Sequence, residues 1–198
     1  ITGSGDYRWI VDPLDGTTNY AHRFPLFSIS IAVARGKEVI CGVVHNPVSQ
    51  ETFKAIRGEG ASLNAFPIRV SETRSIEESL LGTGFPYNMR DTDDTNLDNF
   101  SNFAMKVQGI RRCGSAALDL CFVASGRLDG FWELNLKIYD IAAGQIILEE
   151  AGGKITDFSG TTNNLPHETL ATNGKIHEAM LEVVQPKNDQ FLEKDGAQ

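Results

Sequence analysis

The pattern of hydrophobic and polar positions divides the chain into two parts. In residues 1–70, short apolar runs are separated by turn signals, and residues 27–34 alternate between apolar and small polar side chains. Such alternation is typical of a half-buried strand, and the Gly and Pro positions between the runs favour tight turns. The pattern therefore predicts an antiparallel meander, with strands at residues 9–11, 27–34, 39–45 and 51–56.

From residue 71 onward, strand-like and helix-like segments alternate. Apolar positions recur at helical spacing in residues 97–107 and 116–125, and Ser115 is expected to cap the second of these helices. Further helices are predicted at 139–151 and 175–184. This order is typical of layered α/β proteins. We expect one domain over residues 1–198, with the β-meander in 1–70 and an α/β lobe in 71–198.

Composition limits the classes of function. The chain has 198 residues and a net charge of −8, which disfavours direct contact with nucleic acid. An acidic protein that acts on an anionic substrate needs imported positive charge, and metal ions are the simplest source. Three cysteines without metal-ligand spacing indicate a reducing compartment. No apolar run is long enough to span a membrane, and no leader is evident, so we expect a cytoplasmic protein.

Two carboxylates three residues apart are the strongest candidates for chemistry. Asp12 and Asp15 lie in the sequence Trp-Ile-Val-Asp-Pro-Leu-Asp-Gly-Thr-Thr-Asn-Tyr, where residues 12–17 are expected to form the turn that ends the first strand. Pro13 and Gly16 restrict the backbone, so both carboxylates can converge on one small volume. Mg²⁺ prefers such oxygen ligands. The alternative is a surface turn capped by a threonine.

Three further features suit the same chemistry, and each has an ordinary structural alternative. Asp140 begins a predicted helix, where an acid also stabilises the helix N-terminus. Glu133 follows the aromatic pair at 131–132 and either accepts a hydrogen bond from a substrate hydroxyl or is a solvated charge. Residues 114–117 open a helix with small side chains, which fits a substrate shelf or an ordinary cap.

Taken together, these segments resemble one protein family. Residues 9–20 are similar to the first signature of the inositol monophosphatase family, and residues 139–153 are similar to the second. Residues 109–120 resemble the substrate-side helix of that family. Order and spacing agree over nearly the whole chain. The resemblance implies an α/β fold, the layered αβαβα sandwich of the inositol monophosphatase and fructose-1,6-bisphosphatase type.

The resemblance also implies a set of site residues and a cofactor. Two or three Mg²⁺ ions are expected, with Li⁺ as an inhibitor, and Asp12 is expected to bridge two ions. The metal ligands it implies are Asp12, Asp15, Asp140 and the backbone carbonyl of Leu14. The residues it implies for the phosphate and the attacking water are Gly16 and Thr17, and those it implies for the substrate side are Ala116, Glu133 and Asp140.

The implied activity is Mg²⁺-dependent hydrolysis of a phosphate monoester by in-line attack of an activated water. We expect a small phosphorylated polyol as substrate, first of all myo-inositol 1-phosphate, and a homodimer. Fructose 1,6-bisphosphate, histidinol phosphate and a 3′-phosphonucleotide are alternative substrates. A binding protein of the transcription machinery and a degenerate enzyme are the alternatives from other classes.

Two departures from the family pattern affect these expectations. Tyr139 stands where the second signature usually has tryptophan, a change that we expect to leave the chemistry intact. The family also carries a Gly-Glu-Glu type motif upstream of the first signature, and residues 1–8 contain no match to it. We therefore expect a chain that lacks the N-terminal part of the fold. Its metal shell is then incomplete and its own activity weak or absent.

Overall fold

The computed structural model describes residues 6–184. Residues 1–5 of the predicted β-meander lie outside this range. Six strands pair in sequence order, every neighbouring pair antiparallel, as the alternating pattern predicts. Strands β5 and β6 extend the predicted meander. The six strands are β1 (Tyr7–Asp15), β2 (Ser28–Arg35), β3 (Glu38–Asn46), β4 (Glu51–Ile56), β5 (Gly60–Leu63) and β6 (Phe66–Pro67).

The first strand does not end in a turn at Asp12, as the sequence predicted, but continues to Asp15. Asp12 pairs with Ser30 and Asp15 pairs with Ser28, so β1 carries one residue more than β2 over this interval. This extra residue is a β-bulge. The Pro13 residue is tolerated here because β1 is an edge strand, where a missing N–H donor costs little. A Pro and Gly pair therefore marks a bulge rather than a chain reversal.

The second sheet contains five strands in the order β10-β11-β9-β7-β8. Strand β7 pairs in parallel with both β8 and β9, whereas the other pairs are antiparallel. Of residues 109–120, which resemble the substrate-side helix of the family, the first three form the short strand β8, and the helix starts at Ala116, as its apolar spacing predicts. The five strands are β7 (Leu80–Thr83), β8 (Gly109–Arg111), β9 (Gly130–Leu134), β10 (Lys154–Thr156) and β11 (Glu168–Thr172).

Helices fill the space between the sheets and cover the second one. Helices α3 and α4 share a buried core with side chains of both sheets, and α2 and α5 pack with Trp132 on the opposite face of the second sheet. The layers agree with the expected fold type, and the predicted helix boundaries agree to within a few residues. The helices are α1 (Thr17–Ala21), α2 (Leu97–Ala104), α3 (Ala116–Ala124), α4 (Ile138–Glu150) and α5 (His177–Leu181).

The outer face of the six-stranded sheet is apolar and exposed. Within residues 6–184 no helix covers this face, and Trp9 at its edge is 60% exposed. Other exposed side chains on the same strands are Tyr7, Val11, Ile29, Val43 and Ile56.

Close contact between β3 and α4 depends on a glycine, which has no side chain. A Cβ atom at Gly42 would lie 2.9 Å from the backbone of Ala143 and 2.7 Å from the Ile146 side chain. We expect Gly42→Ala to lower the free energy of unfolding by about 1–3 kcal/mol, because backbone atoms must move apart. Gly109→Ala is the control, since its Cβ meets only side-chain atoms, at 3.3 Å or more. Urea denaturation of both variants measures the difference, and equal stabilities would contradict this packing.

Candidate active site

Three carboxylates converge where β1 and α4 meet. Residues three apart on a regular strand point to opposite faces, but the bulge restores the alternation, so Asp12 and Asp15 face the same side. Asp140 lies in the first turn of α4, as predicted. One oxygen from each of the three carboxylates lies within 4.8 Å of the others. This distance allows all three side chains to contact one small cation or a pair of cations.

Each of these carboxylates is held through one of its two oxygens. The Leu14 N–H donates to Oδ1 of Asp12 at 3.0 Å, and the Lys137 N–H donates to Oδ2 of Asp140 at 2.6 Å. The Ser30 hydroxyl donates to the Tyr139 carbonyl at 3.4 Å, which ties the start of α4 to β2. Backbone groups thus orient two acids and leave their second oxygens for a ligand.

Asp15 has the strongest set of partners. Its Oδ2 accepts a short hydrogen bond from the Ser115 hydroxyl, one from the Ala117 N–H at 3.0 Å and a longer one from Ser28 at 3.4 Å. Asp15 is 8% exposed, whereas Ser28 and Ser115 are fully buried. The start of α3 therefore holds Asp15 from across the molecule. Ser115 also caps α3 as predicted, by accepting from the Leu118 N–H at 3.4 Å.

A cleft of about 770 Å³ opens over this acidic cluster. The structure brings nearly all predicted site residues to its walls, whatever their roles. Those that line it are Asp12, Leu14, Asp15, Gly16, Thr17, Glu133 and Asp140. Ala116 lines an adjoining recess of about 300 Å³, together with Glu133, Asp15 and Asp140. The sequence thus predicted the composition of one concave site from segments more than one hundred residues apart.

Gly16 closes the corner between the acidic strand and helix α1. Its φ is 85°, and a Cβ there would lie 3.1 Å from the carbonyl oxygens of Gly114 and Leu26. Asn19 bridges the same elements, because its Nδ2 donates to the Leu26 carbonyl at 2.7 Å and to the Cys113 carbonyl at 2.8 Å. These contacts fix Gly16 and Thr17 beside the carboxylates.

The acids repel one another in a partly desolvated space. Burial, with a smaller contribution from the charges of Asp12 and Asp140, raises the pKa of Asp15 to about 6 against the lowering effect of Ser115 and Ala117. Burial also raises the pKa of Asp140. Burial followed by the charge of Asp119 raises the pKa of Glu133 well above its usual range. A site with this much unfavourable negative charge favours a cation.

The alternative reading of Glu133 as a solvated strand-end charge is wrong. Its side chain lies in β9 at the floor of the recess, largely removed from water. Arg112 also lines the recess, and its charge opposes the rise in the Glu133 pKa. Asp119, on α3 behind the recess, is 1% exposed, and burial raises its pKa well above the usual range. Neither Arg112 nor Asp119 was singled out by sequence.

A second cleft, of about 590 Å³, lies between β4, β5 and the C-terminal end of α4. The cluster of three acids is not part of it, and its charged side chains are of both signs: Lys54, Arg69, Glu59 and Glu150. Cation-binding chemistry therefore favours the first cleft.

No helix in residues 6–184 combines the length and the apolar composition that crossing a membrane requires.

Comparison with known proteins agrees with this geometry. A family model described as the inositol monophosphatase family matches residues 1–189. The Nus factor SuhB of Pseudomonas aeruginosa is 47% identical over 194 residues, covering 94% of this chain and 71% of that protein. The inositol-1-monophosphatase of Mesorhizobium japonicum is 43% identical over 179 residues, covering 90% of this chain and 67% of that protein.

The solved structure of an inositol monophosphatase from Anabaena (Nostoc) sp. PCC 7120 has the same fold. Its TM-score is 0.89 at 44% identity, with 94% of this chain and 75% of that chain covered. The fold class inferred from the sequence is thereby confirmed.

Proposed function

The chain belongs to the inositol monophosphatase family, and from that premise we propose that it is a Mg²⁺-dependent phosphate-monoester hydrolase. The observation that carries the proposal is the convergence of Asp12, Asp15 and Asp140 in one cleft, with ligand oxygens within 4.8 Å of one another. We propose myo-inositol 1-phosphate as the preferred substrate.

The donor set fits the proposed metal. Mg²⁺ binds through hard oxygen ligands and retains several waters, so a few carboxylates are sufficient. Here three carboxylates share one side of a cleft, and burial together with mutual repulsion raises the pKa of Asp15 and of Asp140. Asp12, Asp15, Asp140 and the carbonyl of Leu14 are the groups that we propose as ligands. Mg²⁺ bound there supplies the positive charge that activates water and stabilises charge on the phosphoryl and leaving oxygens.

The remaining residues orient the reactants. Ser115 and the Ala117 N–H hold Asp15, so this ligand needs little reorganisation when the substrate arrives. Thr17 lies at the start of α1 and lines the same cleft as the acids, and its proposed role is to orient the phosphate or the attacking water through its hydroxyl. No covalent nucleophile is required, because phosphate transfer to water depends mainly on positioning and charge.

The recess beside the acids suits a hydroxylated leaving group. Glu133 and the start of α3 at Ala116 form two of its walls, and a carboxyl group is well suited to hydrogen-bond a polyol hydroxyl. These contacts support a polyol phosphate over a simple alkyl phosphate. Glu133 and Ala116 are outside the set of proposed metal ligands. The preferred substrate and the metal chemistry can therefore be tested separately.

The proposal predicts Mg²⁺-dependent release of phosphate, with the highest kcat/KM for myo-inositol 1-phosphate in a panel that includes the three alternative substrates.

Asp140→Asn is expected to lower kcat by at least about 10²-fold, the scale of losing one group that stabilises transition-state charge. Asp98→Asn, an exposed acid in the first turn of α2, is the matched control. Millimolar Li⁺ is expected to inhibit. Ratios between variants are compared, and Mg²⁺ binding is measured by calorimetry. Mg²⁺ binding and turnover that are unchanged in Asp140→Asn would contradict the proposal.

A binding role toward the transcription machinery is a second candidate, because the 47%-identical relative from Pseudomonas aeruginosa bears the name Nus factor. The net charge of −8 favours a protein partner over direct contact with RNA. Capture of purified transcription proteins by both the parent chain and Asp140→Asn would support this role. Loss of capture in the variant would link binding to the acidic site instead.

A further inference from the structure

The glycine that directly follows β7 lies against the carboxylate of Glu133. A Cβ atom built at Gly84 would be 2.2 Å from Cδ, Oε1 and Oε2 of Glu133, which are the three nearest atoms to that position. Real Cβ atoms do not approach other atoms this closely, so any side chain at residue 84 forces Glu133 to move. The bare backbone of Gly84 therefore creates the space in which the carboxylate lies.

Backbone conformation does not account for this glycine. Gly84 is absent from the residues of positive φ among the described part of the chain, in contrast to Gly16 and Gly114. Alanine is accordingly compatible with the local backbone. The obstacle at residue 84 is the far end of a flexible side chain, which can rotate at low cost. A substitution here should displace Glu133 rather than unfold the strand.

Buried hydrogen bonds hold the backbone at residue 84 in place, so the Glu133 side chain moves rather than the strand. Asn96 donates through Nδ2 to the Gly84 carbonyl at 2.7 Å and accepts through Oδ1 from the Trp132 indole at 2.9 Å. The Thr83 hydroxyl donates to the Trp132 carbonyl at 2.9 Å. Asn96, Thr83 and Trp132 are all buried. Because Trp132 directly precedes Glu133, this network fixes both the backbone of Gly84 and the backbone next to Glu133.

The direction of displacement is toward the recess. Glu133 and Gly84 both line it, with Ala116 and Arg112 on other walls. The Arg112 guanidinium is 5.1 Å from the ring centroid of Phe85, which keeps that wall in place. A carboxylate pushed away from Gly84 takes up part of a recess of only about 300 Å³.

We propose that Gly84, positioned by Asn96, determines leaving-group specificity by setting how far the Glu133 carboxylate stands back from the recess. With glycine at this position a cyclic polyol fits against Glu133. With a larger residue the recess favours smaller leaving groups. This inference rests on the proposed function, since it concerns the substrate side of the same site.

The test compares two phosphate monoesters with leaving groups of different size, myo-inositol 1-phosphate and glycerol 2-phosphate. Gly84→Ala is expected to lower the ratio of their kcat/KM values by about 10-fold or more, the scale of one misplaced group in a binding pocket. Gly109→Ala, on the neighbouring strand β8 and outside the recess, is the matched control. In a Glu133→Ala background the obstructing carboxylate is gone. Adding Gly84→Ala there should change the ratio of the two kcat/KM values by less than about 2-fold.

Equal losses for both substrates, or an undiminished effect of Gly84→Ala in the Glu133→Ala background, would overturn the proposal. A crystal structure of Gly84→Ala provides a readout independent of turnover: we expect strand β7 to be unchanged and the Glu133 carboxylate to be displaced into the recess. A carboxylate in its original position would also overturn it. If the parent chain hydrolyses neither ester with Mg²⁺, the proposed function fails instead, and the structural readout still tests the displacement.

Discussion

Asp15→Asn is expected to abolish most of the turnover while the fold remains intact. The substitution removes a negative charge from the cluster of three acids without a change in side-chain size. The amide oxygen can still accept from Ser115 and the Ala117 N–H, which keeps the start of α3 in place. What is lost is the ionised carboxylate that we propose as a metal ligand, so we expect kcat to fall by at least about 10²-fold and Mg²⁺ affinity to fall with it.

Phosphate release and calorimetric Mg²⁺ binding measure this effect, and circular dichroism measures the fold. Asp98→Asn, which removes an exposed charge that does not line the cleft, serves again as the control. A collapsed spectrum for Asp15→Asn would assign Asp15 a structural role. Unchanged Mg²⁺ affinity would remove it from the set of metal ligands.

The second large effect is on stability, and its sign follows from the pKa of Asp15. This pKa is about 6 in the folded protein, against 3.8 for an ordinary aspartate. Between these values the folded state binds more protons than the unfolded state, so its stability falls as pH rises through the window from about 4 to 6. A shift of about two units corresponds to about 3 kcal/mol. In the absence of divalent metal, this stability is present at low pH and lost above pH 6.

Other titrating groups act in or near the same range. Burial, aided by the charge of Lys154, lowers the pKa of His177 to about 4. That shift has the opposite sign, since it makes stability increase with pH between about 4 and 6.5. Burial alone would raise the pKa of Asp157, but hydrogen bonds from Thr161 and Ser159 outweigh it and lower that pKa, so the contribution of Asp157 is lost only at more acidic pH. The raised pKa values of Asp140 and Glu133 act in the same direction as that of Asp15. The difference between the parent chain and Asp15→Asn therefore measures the contribution of Asp15 together with its coupling to these acids.

Urea denaturation of the metal-free proteins at pH 4.5 and pH 7.5 measures this difference. We expect Asp15→Asn to gain stability relative to the parent chain at the higher pH, by up to about 3 kcal/mol. Saturating Mg²⁺ should stabilise the parent chain at pH 7.5, by about 2.7 kcal/mol at one hundred times its Kd, and the variant much less. A relative stability that does not change with pH would show that the Asp15 carboxylate is not desolvated as the structure indicates.

The sequence indicated the three clustered acids better than the residues that hold them. Asp12, Asp15 and Asp140 belong to compact segments with distinctive neighbours, so spacing and family resemblance led to their prediction as site residues, and the structure brings them together. Ser28 contacts Asp15 from thirteen positions along the chain and Ser115 from one hundred, distances at which no local pattern reports contact. The alternating small polar positions of β2 placed Ser28 on one face of the strand, but they carried no information about its partner.

Gly84 illustrates a different limit of sequence reasoning. Glycines at turns and helix ends follow a strand or helix with a recognisable pattern, and most of them have positive φ. Gly84 has an ordinary backbone conformation and is explained only by the position of Glu133, forty-nine residues later. The bulge in β1 was missed for a related reason: Pro and Gly indicate an interruption of a regular strand, but not whether the chain reverses or gains one residue.

The bulge makes chain length, as well as side-chain identity, part of the acidic site. One residue added to β2 between the partners of Asp12 and Asp15 would restore regular pairing, and because these acids are three residues apart, it would turn one of the two carboxylates to the opposite face of the sheet. Regular strand pairing and a working cluster of acids are therefore incompatible in this segment. In sequences related to this one, we expect an inserted residue in β2 opposite these acids to separate the two carboxylates even where both aspartates are retained.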